Sequence, residues 1–162
     1  MEKSKIRVNH SMLDPKGGIG VFVVEPINNK ILIGRRKDNG LFAQPGGWLE
    51  HGEEWEECGS RELREETGLN IEPNRIKHIK TFNCFDPSEN YHNVAIYLYV
   101  EIHENELTDI RICEPEKCES WQWVDFSFIQ ENIDKFFFPV KIFLKKEPRV
   151  KFTQDLKKLV KA

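Results

Sequence analysis

Apolar residues recur along this chain in short runs separated by turn formers, with one long polar interval between them. Gly18-Ile19-Gly20-Val21-Phe22-Val23-Val24 reads as a strand, Pro26 to Lys30 as a turn, and Ile31-Leu32-Ile33-Gly34 as the returning strand. Asn28-Asn29 between two β-branched runs is hairpin chemistry, because Asn tolerates positive φ. Residues 37–52 are rich in Gly and turn formers and predict a long loop. Glu53 to Thr67 carries good helix formers and stops at Gly68, the residue favoured just past a helix end. Ile76 to Phe85 and Val94 to Ile102 are two further strands, and Trp121-Gln122-Trp123-Val124 is a short alternating one. Asp125 to Leu144 reads as helix interrupted at Pro139, whose ring blocks a helix interior. The polar residues 1–16 are expected to form a flexible arm or an edge segment, and 17–162 a single α/β domain with a mixed sheet between helical layers.

A length of 162 residues suits one such domain. With 39% hydrophobic and 31% charged residues the chain can build a core and is not of disordered composition. No stretch nears the roughly 18 apolar residues of a membrane helix, and the first 15 residues lack the apolar segment of a secretory signal. A cytoplasmic protein without a membrane partner is expected. Cys58, Cys84, Cys113 and Cys118 lack close pairing, and His10, His51, His78, His92 and His103 show no metal spacing. Reduced, buried thiols are the expectation. The net charge of −3 makes the whole molecule no basic nucleic-acid binder, but it conceals strong local imbalance.

Between Glu50 and Glu66 stand eight glutamates and two arginines, a local net of −6. Glu62, Glu65 and Glu66 fall at i, i+3 and i+4 on one helix face, in the last turns where the dipole disfavours anions. Acid-rich helices are often only solvated surface, and Arg61 and Arg64 could pair with these glutamates. Three carboxylates sharing a face behind a Gly-rich loop are nevertheless poor stabilisers, and oxygen ligands of this kind suit Mg²⁺.

The same residues resemble the Nudix box, G-x5-E-x7-R-E-U-x-E-E-x-G-U with U bulky and aliphatic. Gly47, Glu53, Arg61, Glu62, Leu63, Glu65, Glu66, Gly68 and Leu69 fill its nine fixed positions in register over 23 residues. This resemblance implies a Nudix α/β/α sandwich that hydrolyses a nucleoside diphosphate linked to another group. It also implies that Glu62, Glu65, Glu66 and the Gly46 carbonyl hold Mg²⁺, with Mn²⁺ able to substitute. Arg61 would orient the carboxylates through Glu53, and a glutamate, Glu62 first in order, would deprotonate the attacking water. Arg35 and Arg36 either clamp phosphates or are solvated hairpin charges.

Beyond the box, residues 18–160 resemble the eukaryotic nucleotide triphosphate diphosphatase branch, the MutT homologues of type 2. Gly34-Arg35-Arg36-Lys37, Gly52 to Cys58, Glu89-Asn90-Tyr91-His92 and Glu114 to Trp121 carry that likeness. It implies homodimers that convert (d)NTPs, including oxidised purine nucleotides such as 8-oxo-dGTP, to NMP and pyrophosphate. Where that branch lines its base pocket with an aliphatic residue and a Trp, this chain has Gln44 and Phe138, followed by Pro139 and Val140. Arg35, Gln44, Gly46, Gly47, Phe138 and Val140 are therefore the candidate substrate contacts. The run Phe136-Phe137-Phe138 is otherwise core packing. Two other readings stay open: hydrolysis of ADP-ribose, dinucleotides or nucleotide sugars, and a non-catalytic nucleotide- or RNA-binding module. Residues 141–162 carry a local +6 and are read as a solvated helix and tail, an RNA contact or a dimer interface.

Overall fold

The computed structural model describes residues 14–160. The arm expected over 1–16 lies outside them except for its last three residues, of which Lys16 already opens the first strand. The elements in order are β1 (Lys16–Glu25), β2 (Lys30–Arg36), β3 (Phe42–Ala43), α1 (Trp55–Thr67), β4 (Lys77–Asp86), β5 (Tyr91–Glu101), β6 (Cys118–Val124), α2 (Phe126–Glu131), α3 (Phe138–Lys146) and α4 (Thr153–Lys158). Short 3₁₀ helices occupy Pro73–Arg75, Glu104–Asp109 and Ile133–Lys135.

Alternation along the strands builds two cores on opposite faces of one six-stranded sheet. Ile19, Val21 and Val23 of β1, with Ile96, Leu98 and Val100 of β5, pack against Cys58 and Leu63 of α1. Phe22, Val24, Ile31, Ile33, Ala95, Tyr97 and Tyr99 face the other way, against Ile129 of α2, Val140 and Phe143 of α3 and Leu156 of α4. The α/β/α sandwich with a mixed sheet is thus the observed architecture: β1 and β5 run parallel, while β1–β2, β4–β5 and β2–β6 are antiparallel.

The first hairpin turns where Asn29 adopts φ 55°. The buried Glu25 carboxylate beside it accepts the N–H groups of Ile27 at 2.7 Å and Asn28 at 2.9 Å, which satisfies an otherwise costly charge. Gly68 ends α1 in the left-handed conformation at φ 78°. The helical stretch after β6 differs from expectation. Pro139 lies in the first turn of α3, where its missing N–H costs nothing, and the break falls before it, at the extended Phe136 and Phe137. Phe137 donates its N–H to the Phe42 carbonyl at 2.8 Å, which docks this break on β3.

Two further expectations are corrected. The basic C-terminal segment is more than a solvated tail, because Val150, Thr153 and Leu156 are buried and the Thr153 hydroxyl donates to the Asn29 carbonyl at 2.7 Å. All four cysteines are free, yet only Cys58 and Cys84 are buried, with Cys113 and Cys118 partly exposed. No helix among the described residues is long and apolar enough to cross a membrane.

Candidate active site

The site arises where the sheet splits. β1 and β2 pair only near their turn, at Val24–Ile31 and Glu25–Lys30, and then diverge. The Gly-rich loop fills the wedge. Its β3 pairs with Gly34 and Arg35 of β2. On the β1 side, the Val21 N–H donates to the Pro45 carbonyl at 2.9 Å, the Ile19 N–H to Gly47 at 2.8 Å, and the Leu49 N–H to Gly17 at 3.0 Å. Only glycine serves at position 46, whose φ is 155° and whose missing Cβ would fall on the Ile19 carbonyl, 2.9 Å from its carbon. A Cβ at position 47 would overlap the Glu62 carboxylate, 2.6 Å from Oε2. The wedge thus delivers bare backbone to the last two turns of α1.

On α1, Arg61 acts as a clamp. Its Nε and Nη2 grip both Glu53 oxygens at 2.6 and 2.9 Å, and Nη1 donates to Glu62 Oε1 at 2.7 Å and Glu65 Oε2 at 3.2 Å. Nη2 also reaches the Trp48 carbonyl at 3.0 Å, tying helix to loop. This fork holds the Glu53 carboxyl down at about 2. Glu66 lies deeper and accepts the Gly46 N–H at 2.9 Å. Burial, reinforced by the neighbouring Glu62 charge, pushes its carboxyl up to about 8. Burial also raises Glu62 against the pull of Arg61.

Two of the three expected carboxylates share the cavity. Glu62 and Glu66 line one cavity of about 550 Å³, whereas Glu65 lies outside its lining, half exposed against Arg61. Among the described residues no three Asp, Glu, His or Cys side chains gather closely enough to hold a metal ion by themselves. The donor set still fits a hard divalent cation: two partly buried carboxylates repel one another beside a glycine cradle, and a bound cation would relieve both the repulsion and the lost solvation.

Of the expected substrate contacts, Arg35, Gln44, Gly46 and Gly47 line the cavity, and Phe138 and Val140 do not. Val140 is buried in the core, and Phe138 packs against that core with the Tyr91 ring edge-on at 5.7 Å. Phe137 takes the place expected of Phe138, because starting α3 at Phe138 turns that ring inward and leaves its extended predecessor at the cavity wall. The Arg36 guanidinium lies 4.6 Å from the Phe137 ring centre and forms a fork with Asp38 at 2.7 and 3.0 Å. Arg35 lies 3.4 Å from Glu119 and is half exposed, so its charge stays available to a ligand.

Other wall residues carried weaker signals in the sequence. Trp121 donates its indole N–H to the Glu66 carbonyl at 3.2 Å, capping α1, and its ring covers Gly34, where a Cβ would come within 2.8 Å of Cε3. Lys117 pairs with Glu114 at 2.7 Å on the loop facing Glu62 and Glu66. Both lie in the Glu114–Trp121 block that marked the likeness to one branch. Tyr91 was legible only as part of such a block, and Asn93 had no signal.

A model of the NUDIX domain matches residues 16–142. The chain belongs to the Nudix family. The chain is similar to an m7GpppN-mRNA hydrolase, NUDT17, of Xenopus laevis, 31% identical over 121 residues, covering 66% of this chain and 41% of that protein. An ADP-ribose pyrophosphatase of Methanocaldococcus jannaschii is 56% identical over 45 residues, covering 26% of this chain and 27% of its own length. The chain therefore spans less than half the length of either relative. A MutT Nudix hydrolase structure from Burkholderia pseudomallei superposes with a TM-score of 0.65 at 24% identity, covering 82% of this chain and 98% of that one. That likeness shows the same fold.

Proposed function

We propose that this Nudix protein is a divalent-metal-dependent pyrophosphohydrolase of nucleoside triphosphates, with damaged purine nucleotides such as 8-oxo-dGTP among its substrates. Water attacks a phosphorus of the anhydride, the P–O–P bond breaks, and nucleoside monophosphate and pyrophosphate leave. The observation that carries the proposal is one cavity lined together by the carboxylates Glu62 and Glu66, the cations Arg35, Arg36, Lys37 and Lys117, and the aromatic and amide side chains Tyr91, Phe137, Gln44 and Asn93. Glu62 and Glu66, with the Gly46 backbone beside them, would hold Mg²⁺ or Mn²⁺. Such an ion neutralises the diphosphate and lowers the pKa of bound water.

The chain's own residues supply the remainder. Arg61 fixes the carboxylate geometry through Glu53, and the cationic side chains bind phosphate oxygens. Glu62, partly buried and with its carboxyl raised by desolvation, is the first choice to accept the proton of the attacking water. The relative named an ADP-ribose pyrophosphatase supports a second reading, hydrolysis of ADP-ribose, whose diphosphate would meet the same residues. Pyrophosphate or phosphate release with Mg²⁺ is to be measured across dGTP, 8-oxo-dGTP, dCTP, ADP-ribose, a diadenosine polyphosphate and a capped dinucleotide. A triphosphate hydrolysed at least tenfold faster than the other classes supports the main reading, and ADP-ribose as the best substrate replaces it. Binding without turnover on all six sinks both. A homodimer belongs to the same proposal, and sedimentation velocity tests it.

A further inference from the structure

The cavity wall holds a polar group that phosphate chemistry leaves idle. Asn93 on β5 is 5% exposed and lines the cavity. Its Nδ2 donates to the Tyr91 hydroxyl at 3.1 Å, which orients the amide. Its Oδ1 is a buried side-chain acceptor without a partner among the described residues. A Cβ at Gly18 would come 2.6 Å from Nδ2 and 2.9 Å from Oδ1, so the amide lies directly on bare β1 backbone. A buried acceptor left unpaired is unfavourable, and native structures seldom keep one that no ligand or water uses.

The surroundings are amide and aromatic. The Asn93 amide lies over Gly18 and the Gln44 side chain over Gly20, where a Cβ would come 3.1 Å from Cδ, and the rings of Phe137, Tyr91 and Pro139 line the same cavity. The Phe137 and Tyr91 rings meet edge-on with centres 6.2 Å apart, so one planar ligand can touch both. A two-ring heterocycle gains from such walls, whereas a sugar gains little.

We propose that Asn93 reads the nucleobase: its Oδ1 accepts an N–H from the exocyclic amino group of a purine, which selects amino-bearing purine nucleotides over analogues lacking that group. The proposal rests on the nucleotide reading above and assigns the base contact within it. A site built around one hydrogen bond rejects an analogue that cannot make it, since the buried group is then stranded.

Two substrate pairs isolate the contact: GTP against ITP, which lacks the 2-amino group, and ATP against purine riboside triphosphate, which lacks the 6-amino group. The wild-type protein is expected to favour the amino-bearing member of one pair by at least about tenfold in kcat/KM. Metal-free titration calorimetry with the matching monophosphates should show the same preference in Kd. Asn93→Leu, of similar volume without the acceptor, should reduce the ratio to within about twofold. The pairs need no variant, so a poorly folded N93L leaves the proposal testable on the wild type. Equal use of both members in both pairs overturns the assignment, as does a preference for the member lacking the amino group. Discrimination retained in folded N93L also overturns it. If no nucleotide binds, the underlying reading fails as well. If nucleotides are hydrolysed without base discrimination, only this proposal fails.

Discussion

The adjacent glycines 46 and 47 predict opposite consequences from the same one-carbon change. Gly46→Ala places a methyl on the Ile19 carbonyl, 3.0 Å from the Gly20 Cα as well, at a backbone φ of 155°. Its neighbours are backbone atoms of a buried strand and cannot give way. The unfavourable φ and the overpacking each cost about 1–3 kcal/mol, so a loss of roughly 2–6 kcal/mol is expected. For a domain of this size each kcal/mol lowers Tm by about 2–4 °C, so a fall of roughly 4–24 °C should appear in thermal denaturation. Gly47→Ala meets only the Glu62 carboxylate, 2.6 Å from Oε2, at a φ that L residues accept. That carboxylate must retreat by roughly 1 Å and release Arg61 Nη1, a shift that changes stability little but costs about 100-fold in a positioned reaction. Thermal denaturation and turnover as a function of Mg²⁺ concentration, measured on both variants, separate the two effects. Wild-type turnover at subsaturating Mg²⁺ in Gly47→Ala, or a wild-type Tm in Gly46→Ala, would refute the wedge geometry and the Glu62 assignment built on it.

Other expectations follow from the same contacts. Arg61→Lys keeps the charge but loses the fork on Glu53 and Glu62, and should cost about 1–3 kcal/mol in urea denaturation; an unchanged midpoint would show the fork to be mechanically idle. Glu66 has its proton held up to about 8, far above its unfolded value, so the metal-free fold binds more protons than the unfolded chain between about pH 4.5 and 8. Its Tm should therefore fall as pH rises through that window, and Mg²⁺ should raise Tm more at pH 8 than at pH 5. A Mg²⁺ effect that is flat with pH would disprove the coupling. Phe137→Ala should raise KM about fivefold with little change in Tm, while Phe138→Ala should cost up to about 2 kcal/mol of stability and leave KM alone. The reverse pattern would return the pocket wall to Phe138.

Much of this protein was readable before any fold was known, wherever local chemistry settles the outcome. Asn29 at positive φ marks the hairpin, Gly68 in the left-handed conformation ends α1, and the i, i+3, i+4 spacing puts Glu62, Glu65 and Glu66 on one face. The Arg61–Glu53 fork, eight residues apart, is nearly local as well. Residues that meet only through the sheet were another matter. Nothing near Phe137 or Phe138 tells which ring faces the cavity, because the bond from Phe137 to Phe42 that decides it joins segments 95 residues apart. The sequence by itself determined the box, the element types and the charge placed at the end of α1, since each depends on neighbours within a few residues. Only the tertiary structure decided that β1 and β2 part around Gly46-Gly47, that Glu62 and Glu66 line the cavity while Glu65 stays outside its lining, and that Asn93 lies on the bare backbone of Gly18 with one oxygen unpaired. Those outcomes depend on strand divergence and packing across the sheet, which no local pattern encodes.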